Sequence, residues 1–148
     1  MHRFAFFCRL LLPLALTACV GGDGATSAEQ GVRAFLQGVF DRPESRLTVP
    51  SVAFAGDYAV AGWLQDGRGG RTLLKRSAEG WEFVVCGGEE LCSPAGLREA
   101  GLPDAFVQPM AQAVQASEVS LPTDQRAMLG DFKGLMKMEG VGHPPPRR

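Results

Sequence analysis

Between Tyr58 and Gly88 the chain alternates strand-like segments with turns too short to hold anything but hairpins. Tyr58 to Leu64 alternates, with Tyr58, Val60, Gly62 and Leu64 on one face and Ala59, Ala61 and Trp63 on the other. Asp66-Gly67-Arg68-Gly69-Gly70 follows as a hairpin loop whose glycines permit positive φ. Arg71 to Arg76 predicts the next strand, with Leu73 and Leu74 facing opposite ways. After Ala78-Glu79-Gly80, the segment Trp81 to Cys86 predicts another, with Trp81, Phe83 and Val85 on one face. Upstream, Leu47 to Phe54 is β-rich, and Pro50 marks it as an edge strand or a bulge. Connections this short leave no room for crossovers, so the four strands form an antiparallel meander.

Helical periodicity frames the meander. Thr26-Ser27-Ala28-Glu29-Gln30 carries two overlapping capping boxes, and Val32, Phe35, Leu36, Val39 and Phe40 follow at helical spacing. Asp41-Arg42-Pro43 ends that helix. Ser93-Pro94 caps a short helix that Gly101 stops. Pro103 opens another, with Phe106, Met110 and Val114 in register. Pro122 opens a third, with Met128, Leu129, Phe132, Leu135 and Met136 at helical spacing. The expected fold class is α+β: an N-terminal helix, a four-stranded antiparallel meander, then two to three C-terminal helices packed on one face of the sheet. A single domain is expected over 28–139, and the Pro-rich stretch 140–148 (GVGHPPPRR) reads as a disordered tail.

The N-terminal segment sets the expected compartment. Arg3 and Arg9 supply a positive region and Leu10 to Ala18 an apolar run, the architecture of a signal peptide over 1–18. That run is shorter than the roughly 20 residues a membrane-spanning helix needs. It ends in Leu16-Thr17-Ala18-Cys19, the form of a bacterial lipoprotein box, so Cys19 is the expected lipidation site. Residues 19–27 then read as the lipidated cysteine and a flexible tether. Several acyl chains anchor stably. No aspartate follows Cys19 at the second position, and outer-membrane sorting with the domain facing the periplasm of a diderm bacterium is expected. Loss of residues 1–18 removes Arg3 and Arg9 and no acid, which leaves 13 basic against 16 acidic residues, net −3. Nucleic-acid binding needs a basic field and is not expected.

Chemistry-bearing residues are few. Cys86-Gly87-Gly88-Glu89-Glu90-Leu91-Cys92 closes a short loop at the end of a strand. Two readings stand: a disulfide between Cys86 and Cys92, natural in an oxidising compartment, or a soft-metal site using both thiolates. Met136, Met138 and His143 form a loose group of thioethers and imidazole, donors that suit copper. Met128 and Met136 fall on the expected apolar stripe of the last helix, so Met138 is the better ligand candidate. Hydrolytic nucleophile motifs are absent, His143 is the single histidine outside the signal segment, and the Gly-rich hairpin lacks the ending of a phosphate loop. An enzyme is not expected.

Three stretches together resemble a known family. Asp57-Tyr58-Ala59-Val60-Ala61-Gly62-Trp63, Gly69-Gly70-Arg71-Thr72-Leu73-Leu74 and Gly80-Trp81-Glu82-Phe83-Val84-Val85-Cys86-Gly87-Gly88 resemble the copper uptake system-associated proteins, small exported bacterial proteins. The similarity continues through Leu97 and Leu102-Pro103. The resemblance implies an exported protein encoded near copper-handling genes, an accessory of copper uptake or handling that works with copper transport proteins; the membrane anchor is expected from the Leu16 to Cys19 box, not from the resemblance. It carries no ligand set. Cys86 is the matching position at which Cu(I) binding is expected, with Cys92, Met138 and His143 as further candidate ligands. The rival expectation is an envelope lipoprotein of NTF2-like or cystatin-like form, with an apolar cavity lined by Trp63 and Trp81. A purely structural lipoprotein with a closed core is the third.

Overall fold

A computed structural model describes the backbone of residues 23–138 and the side chains of residues 27–138. The signal segment, Cys19 and the 140–148 tail with His143 lie outside the described residues. The fold is α+β. A first helix, α1 (Asp23–Phe40), leads into a five-stranded antiparallel sheet, and three helices follow four of its strands. The strands are β1 (Val52–Ala55), β2 (Tyr58–Gln65), β3 (Arg68–Ser77), β4 (Gly80–Gly87) and β5 (Met136–Lys137), in that spatial order. A short 3-10 turn (Glu89–Cys92) and the helices α2 (Pro94–Glu99), α3 (Asp104–Glu118) and α4 (Thr123–Leu129) lie between β4 and β5.

Each sheet face has its own core. On one, Ala53, Val60, Leu73 and Val85 pack against Leu97 of α2 and Val107, Met110 and Val114 of α3. On the other, Val52, Ala59, Ala61, Leu74 and Phe83 pack against Val32 and Leu36 of α1, with Leu47 and Val49. Burying one such aliphatic side chain contributes roughly 1.5–3 kcal/mol. Helices therefore cover both faces, where helices on one face were expected. The α1 stripe and the alternation of β2 explain the difference: both faces of the meander are apolar, and α1 carries a stripe of its own.

Four boundaries depart from the sequence reading. The helix α1 begins at Asp23, so residues 23–27 are helical rather than tether, and Thr26 to Gln30 lie inside the helix rather than capping it. The β2–β3 loop is only Asp66-Gly67, at φ 52° and 71°, with Gln65 paired to Arg68. Positive φ at both central residues is the hairpin geometry that Asp-Gly supplies. The last helix stops at Leu129, and Gly130 ends it; Phe132, Leu135 and Met136 are not helical. Met136 instead enters β5, a fifth strand.

The fourth departure is a β-bulge. Leu73 pairs with Val85, but Leu74 pairs with Phe83, so Val84 has no partner residue in the ladder. Val84 and Val85 both pack toward the α2–α3 side. An extra residue inverts the alternation beyond it. Phe83 and Val85, expected on one face, therefore lie on opposite faces.

One charged residue holds the α3 side together. Arg71 is a β3 residue whose side chain is 2% exposed. Its Nε and Nη2 donate to the two carboxylate oxygens of Glu118 at 2.8 and 2.7 Å. Its Nη1 donates to the carbonyls of Gly88 and Leu129, each at 3.0 Å. Removing one partner of a buried ion pair strands the other charge and costs about 3–5 kcal/mol, whereas replacing both with apolar groups is often neutral. Glu118→Ala is thus predicted to lower unfolding stability by about 3–5 kcal/mol in urea titrations. The double variant Arg71→Met/Glu118→Leu should recover only part of that loss, because it leaves the Gly88 and Leu129 carbonyls without their donor. Equal stability of Glu118→Ala and wild type would show that the pair does not hold the fold.

Candidate functional site

The bulge decides where Cys86 points. Beyond it, Val85 joins the α3 side and Cys86 turns to the α1 side, where it lines an apolar cavity of about 250 Å³. Leu36 and Phe40 of α1 form one wall, with Leu47, and Trp63, Thr72 and Phe83 of the sheet form another. Phe132, Met136 and Met138 bring in the C-terminal segment.

The soft donors converge here through strand pairing. Met136 lies directly opposite Cys86 in the β4–β5 register. Opposite residues on one face of an antiparallel pair hold their Cβ atoms roughly 4.5–5.5 Å apart. Met138 follows two residues later, so it presents to the same face. Its N–H donates to the Val84 carbonyl at 3.2 Å, which extends the pairing past β5. Met136 is 54% exposed and stands at the rim, while Cys86 is 8% exposed. Thioethers are flexible and polarizable, and can follow a bound ion.

The polar groups of the cavity are already engaged. The Thr72 hydroxyl donates to the Val85 carbonyl at 3.2 Å. The Gln65 side-chain nitrogen donates to the carbonyls of Phe40 and Ser45, each at 2.9 Å. Among the described residues no lining residue carries a charge apart from what Cys86 can acquire. Burial pushes the Cys86 thiol up from its ordinary pKa, and the hydrogen bond with Thr72 only partly offsets this. In the absence of a bound cation the site is therefore a neutral thiol in apolar surroundings.

Cys92 belongs elsewhere. It ends the 3-10 turn and packs with the α2–α3 core, on the other side of the sheet from the cavity. The expected Cys86–Cys92 disulfide is not made: both cysteines are free. A short loop between two cysteines does not bring their sulfurs together when the sheet lies between their side chains. The same separation removes Cys92 from a site built on Cys86. Burial pushes its thiol up to about 12; the Arg71 charge opposes the shift, and Glu118 and Glu89 add to it. His143 lies outside the described residues, and Met136, read as a core residue of the last helix, takes a place at the site. Among the described residues no three His, Cys, Asp or Glu side chains group as metal ligands.

Trp81 does not share the cavity with Trp63, as the apolar-ligand reading expected. It packs on Phe54 at 6.0 Å between ring centroids and lies under the Arg76 guanidinium, 4.7 Å from its ring centroid. Trp63 instead meets Phe132 edge-on at 6.4 Å. That pair separates the Cys86 cavity from a second, shallower groove between Arg68, Gly69 and Asp131.

No protein-family profile, curated protein or solved structure matches this chain. Among the described residues no helix is long and apolar enough to cross a membrane.

The thiol environments predict reactivity. At pH 8 a thiol with a pKa of about 12 has a thiolate fraction roughly a thousandfold below that of a free cysteine near 8.5. Protein isolated without reductant should label at both Cys86 and Cys92 once denatured, and Cys92 should label more than about a hundredfold slower in the native state. Peptide mass spectrometry after a timed pulse of N-ethylmaleimide reads both. Failure of the denatured protein to label would mean that the thiols are oxidised.

Proposed function

We propose that this protein is a lipid-anchored, periplasm-facing accessory of copper uptake or handling, and that it binds Cu(I) in the α1–sheet cavity through Cys86, Met136 and Met138. The observation that carries the reading is the convergence of one thiol and two thioethers on one apolar cavity. Thiolate and thioether donors favour soft ions such as Cu(I) over hard divalent ions, which prefer oxygen. Such an ion needs few donors, and Leu36, Phe40 and Phe83 give them an apolar surround. The resemblance to copper uptake system-associated proteins points the same way, because Cys86 lies within the stretch that carries it. Binding, not catalysis, is the proposed activity. Outer-membrane attachment through Cys19 remains part of this proposal on the strength of the lipoprotein box.

A second reading has its own support. The cavity lining is almost wholly apolar, and about 250 Å³ exceeds the space that one ion fills. Engineered apolar cavities of roughly 150 Å³ bind benzene. A small apolar ligand is the occupant in this reading.

Competition with a Cu(I) chromophore on the reduced protein separates the two. Wild type is predicted to withdraw Cu(I) from the chromophore. Cys86→Ser should weaken binding at least about a hundredfold, and Met138→Leu, which keeps the packing volume, about tenfold, equivalent to about 1.4 kcal/mol. No competition by wild type would leave the apolar-ligand reading in the lead. The anchor has a separate check. Intact mass of the envelope-purified protein should include a diacylglyceryl group on Cys19, and Cys19→Ser should abolish it. An unacylated mature N-terminus in wild type would refute attachment.

A further inference from the structure

We propose that the cavity is charge-matched to one monovalent soft cation, Cu(I) or Ag(I), and rejects divalent ions, because Cys86 is its single anionic donor among the described residues. The inference rests on the soft-metal reading and adds to it a selectivity that donor softness alone does not provide. Zn(II) and Cd(II) also accept thiolate, so softness by itself leaves them as competitors.

The argument is electrostatic. One thiolate and two neutral thioethers around a monovalent ion give a complex of zero net charge. The same donors around a divalent ion leave one positive charge uncompensated in an apolar lining, where a buried charge without a partner is strongly disfavoured. Among the described residues no lining side chain offers a second anion. The helix α1 presents Leu36 and Phe40, β2 presents Trp63 and Gln65, β3 Thr72, and β4 Phe83.

The nearby carboxylates are committed elsewhere. Glu118 is bound to Arg71 on the opposite face, and Glu89 also lies by that guanidinium, at 3.7 Å. Glu90 accepts from the backbone N–H groups of Gly88 and Gly134 at 3.2 and 3.1 Å. Asp131 lines the neighbouring groove and not this cavity. Lys137 lies between Met136 and Met138 in β5 and so alternates away from them.

Loading is a ligand exchange with no electron transfer. The Cys86 S–H bond breaks, its proton leaves to solvent, and a sulfur–metal bond forms with the monovalent ion.

Ag(I) is the working probe, since it is stable in air. The reduced mature lipidated protein, wild type and in a Cys92→Ala background, is titrated by calorimetry and Trp fluorescence, with Zn(II) and Cd(II) as competitors. Expected is one Ag(I) per chain, unchanged by Cys92→Ala, and no displacement by a hundredfold excess of either divalent ion. Met136→Asp places a second anion at the exposed rim. It should raise the affinity for Cd(II) relative to Ag(I) at least tenfold, with circular dichroism reporting that the variant is folded. Displacement of Ag(I) by equimolar Zn(II) or Cd(II), or an unchanged Cd(II)-to-Ag(I) ratio in folded Met136→Asp, would overturn the charge matching and leave the soft-metal reading standing. No Ag(I) binding, or equal binding by wild type and folded Cys86→Ser, would overturn both.

Discussion

The buried guanidinium of Arg71 is the constraint on which the rest of this molecule depends. It joins four pieces of chain that are remote in sequence: β3, the Gly88 turn, the end of α3 at Glu118 and the end of α4 at Leu129. A charge in that position carries a large desolvation cost and survives only because its donors are met by a bidentate carboxylate and two carbonyls. The two carbonyls have a consequence across the sheet. Gly88 follows the strand that carries Cys86, and Leu129 precedes the segment that carries Phe132, Met136 and Met138. Fixing both from one face sets the distance between the thiol and the thioethers on the other. Gly88 closes the same joint by contact, since a side chain there would collide with the Phe132 carbonyl.

The bulge at Val84 is the second determinant, and it acts through parity. In a regular ladder Cys86 would share its face with Val84, toward the α2–α3 core where Cys92 lies. One extra residue sends it to the α1 side instead. A β-bulge commonly re-aims a side chain near a functional position, and here it separates two cysteines that lie close together in sequence. It also gives the proposed site its character. On the α3 side Cys86 would have stood near Arg71, Glu89 and Glu118, among fixed charges. On the α1 side it stands among Leu, Phe and Met.

How far these features were legible differs from element to element. The meander, the edge position of β1, the faces of β2 and the opposite facing of Leu73 and Leu74 follow from period-two alternation and short turns. Ser93 also behaves as read, accepting from the Gly96 N–H at 3.1 Å. The last helix was over-extended because Met128, Leu129, Phe132, Leu135 and Met136 do fall at helical spacing. Periodicity cannot see that Gly130 ends the helix or that Gly134, at φ 76°, turns the chain into an edge strand. The bulge was invisible because Trp81, Phe83 and Val85 alternate as well in sequence as in any regular strand. Arg71 offered a signal that went unused. A lone charge beside Thr72-Leu73-Leu74 in a strand expected to be buried calls for a partner, but the identity of that partner, Glu118, depends on tertiary packing.

The proposed site inherits a particular mechanical situation from this arrangement. Its thiol sits on a well-paired inner strand, while Met136 lies in a two-residue edge strand and Met138 just beyond it. The edge strand is held by few contacts: its pairing with Val85 and Cys86, the Met138 bond to Val84, and the Glu90 bond to Gly134. Glu90 keeps its carboxyl below the usual range, first by hydrogen bonding to backbone N–H groups and then with help from Lys133, against a smaller opposing effect of burial. That anchor therefore stays ionised at neutral pH. Strand pairs this short are marginal on their own. A ligand that bridges Cys86 to Met136 and Met138 would tie this edge to the sheet, and binding that favours the ordered state stabilises it by mass action. In the proposed site, occupancy and order of the C-terminal edge would thus be one equilibrium. Met136, 54% exposed against 8% for Cys86, is the rim residue of the three, so an ion in the proposed site would enter from its side.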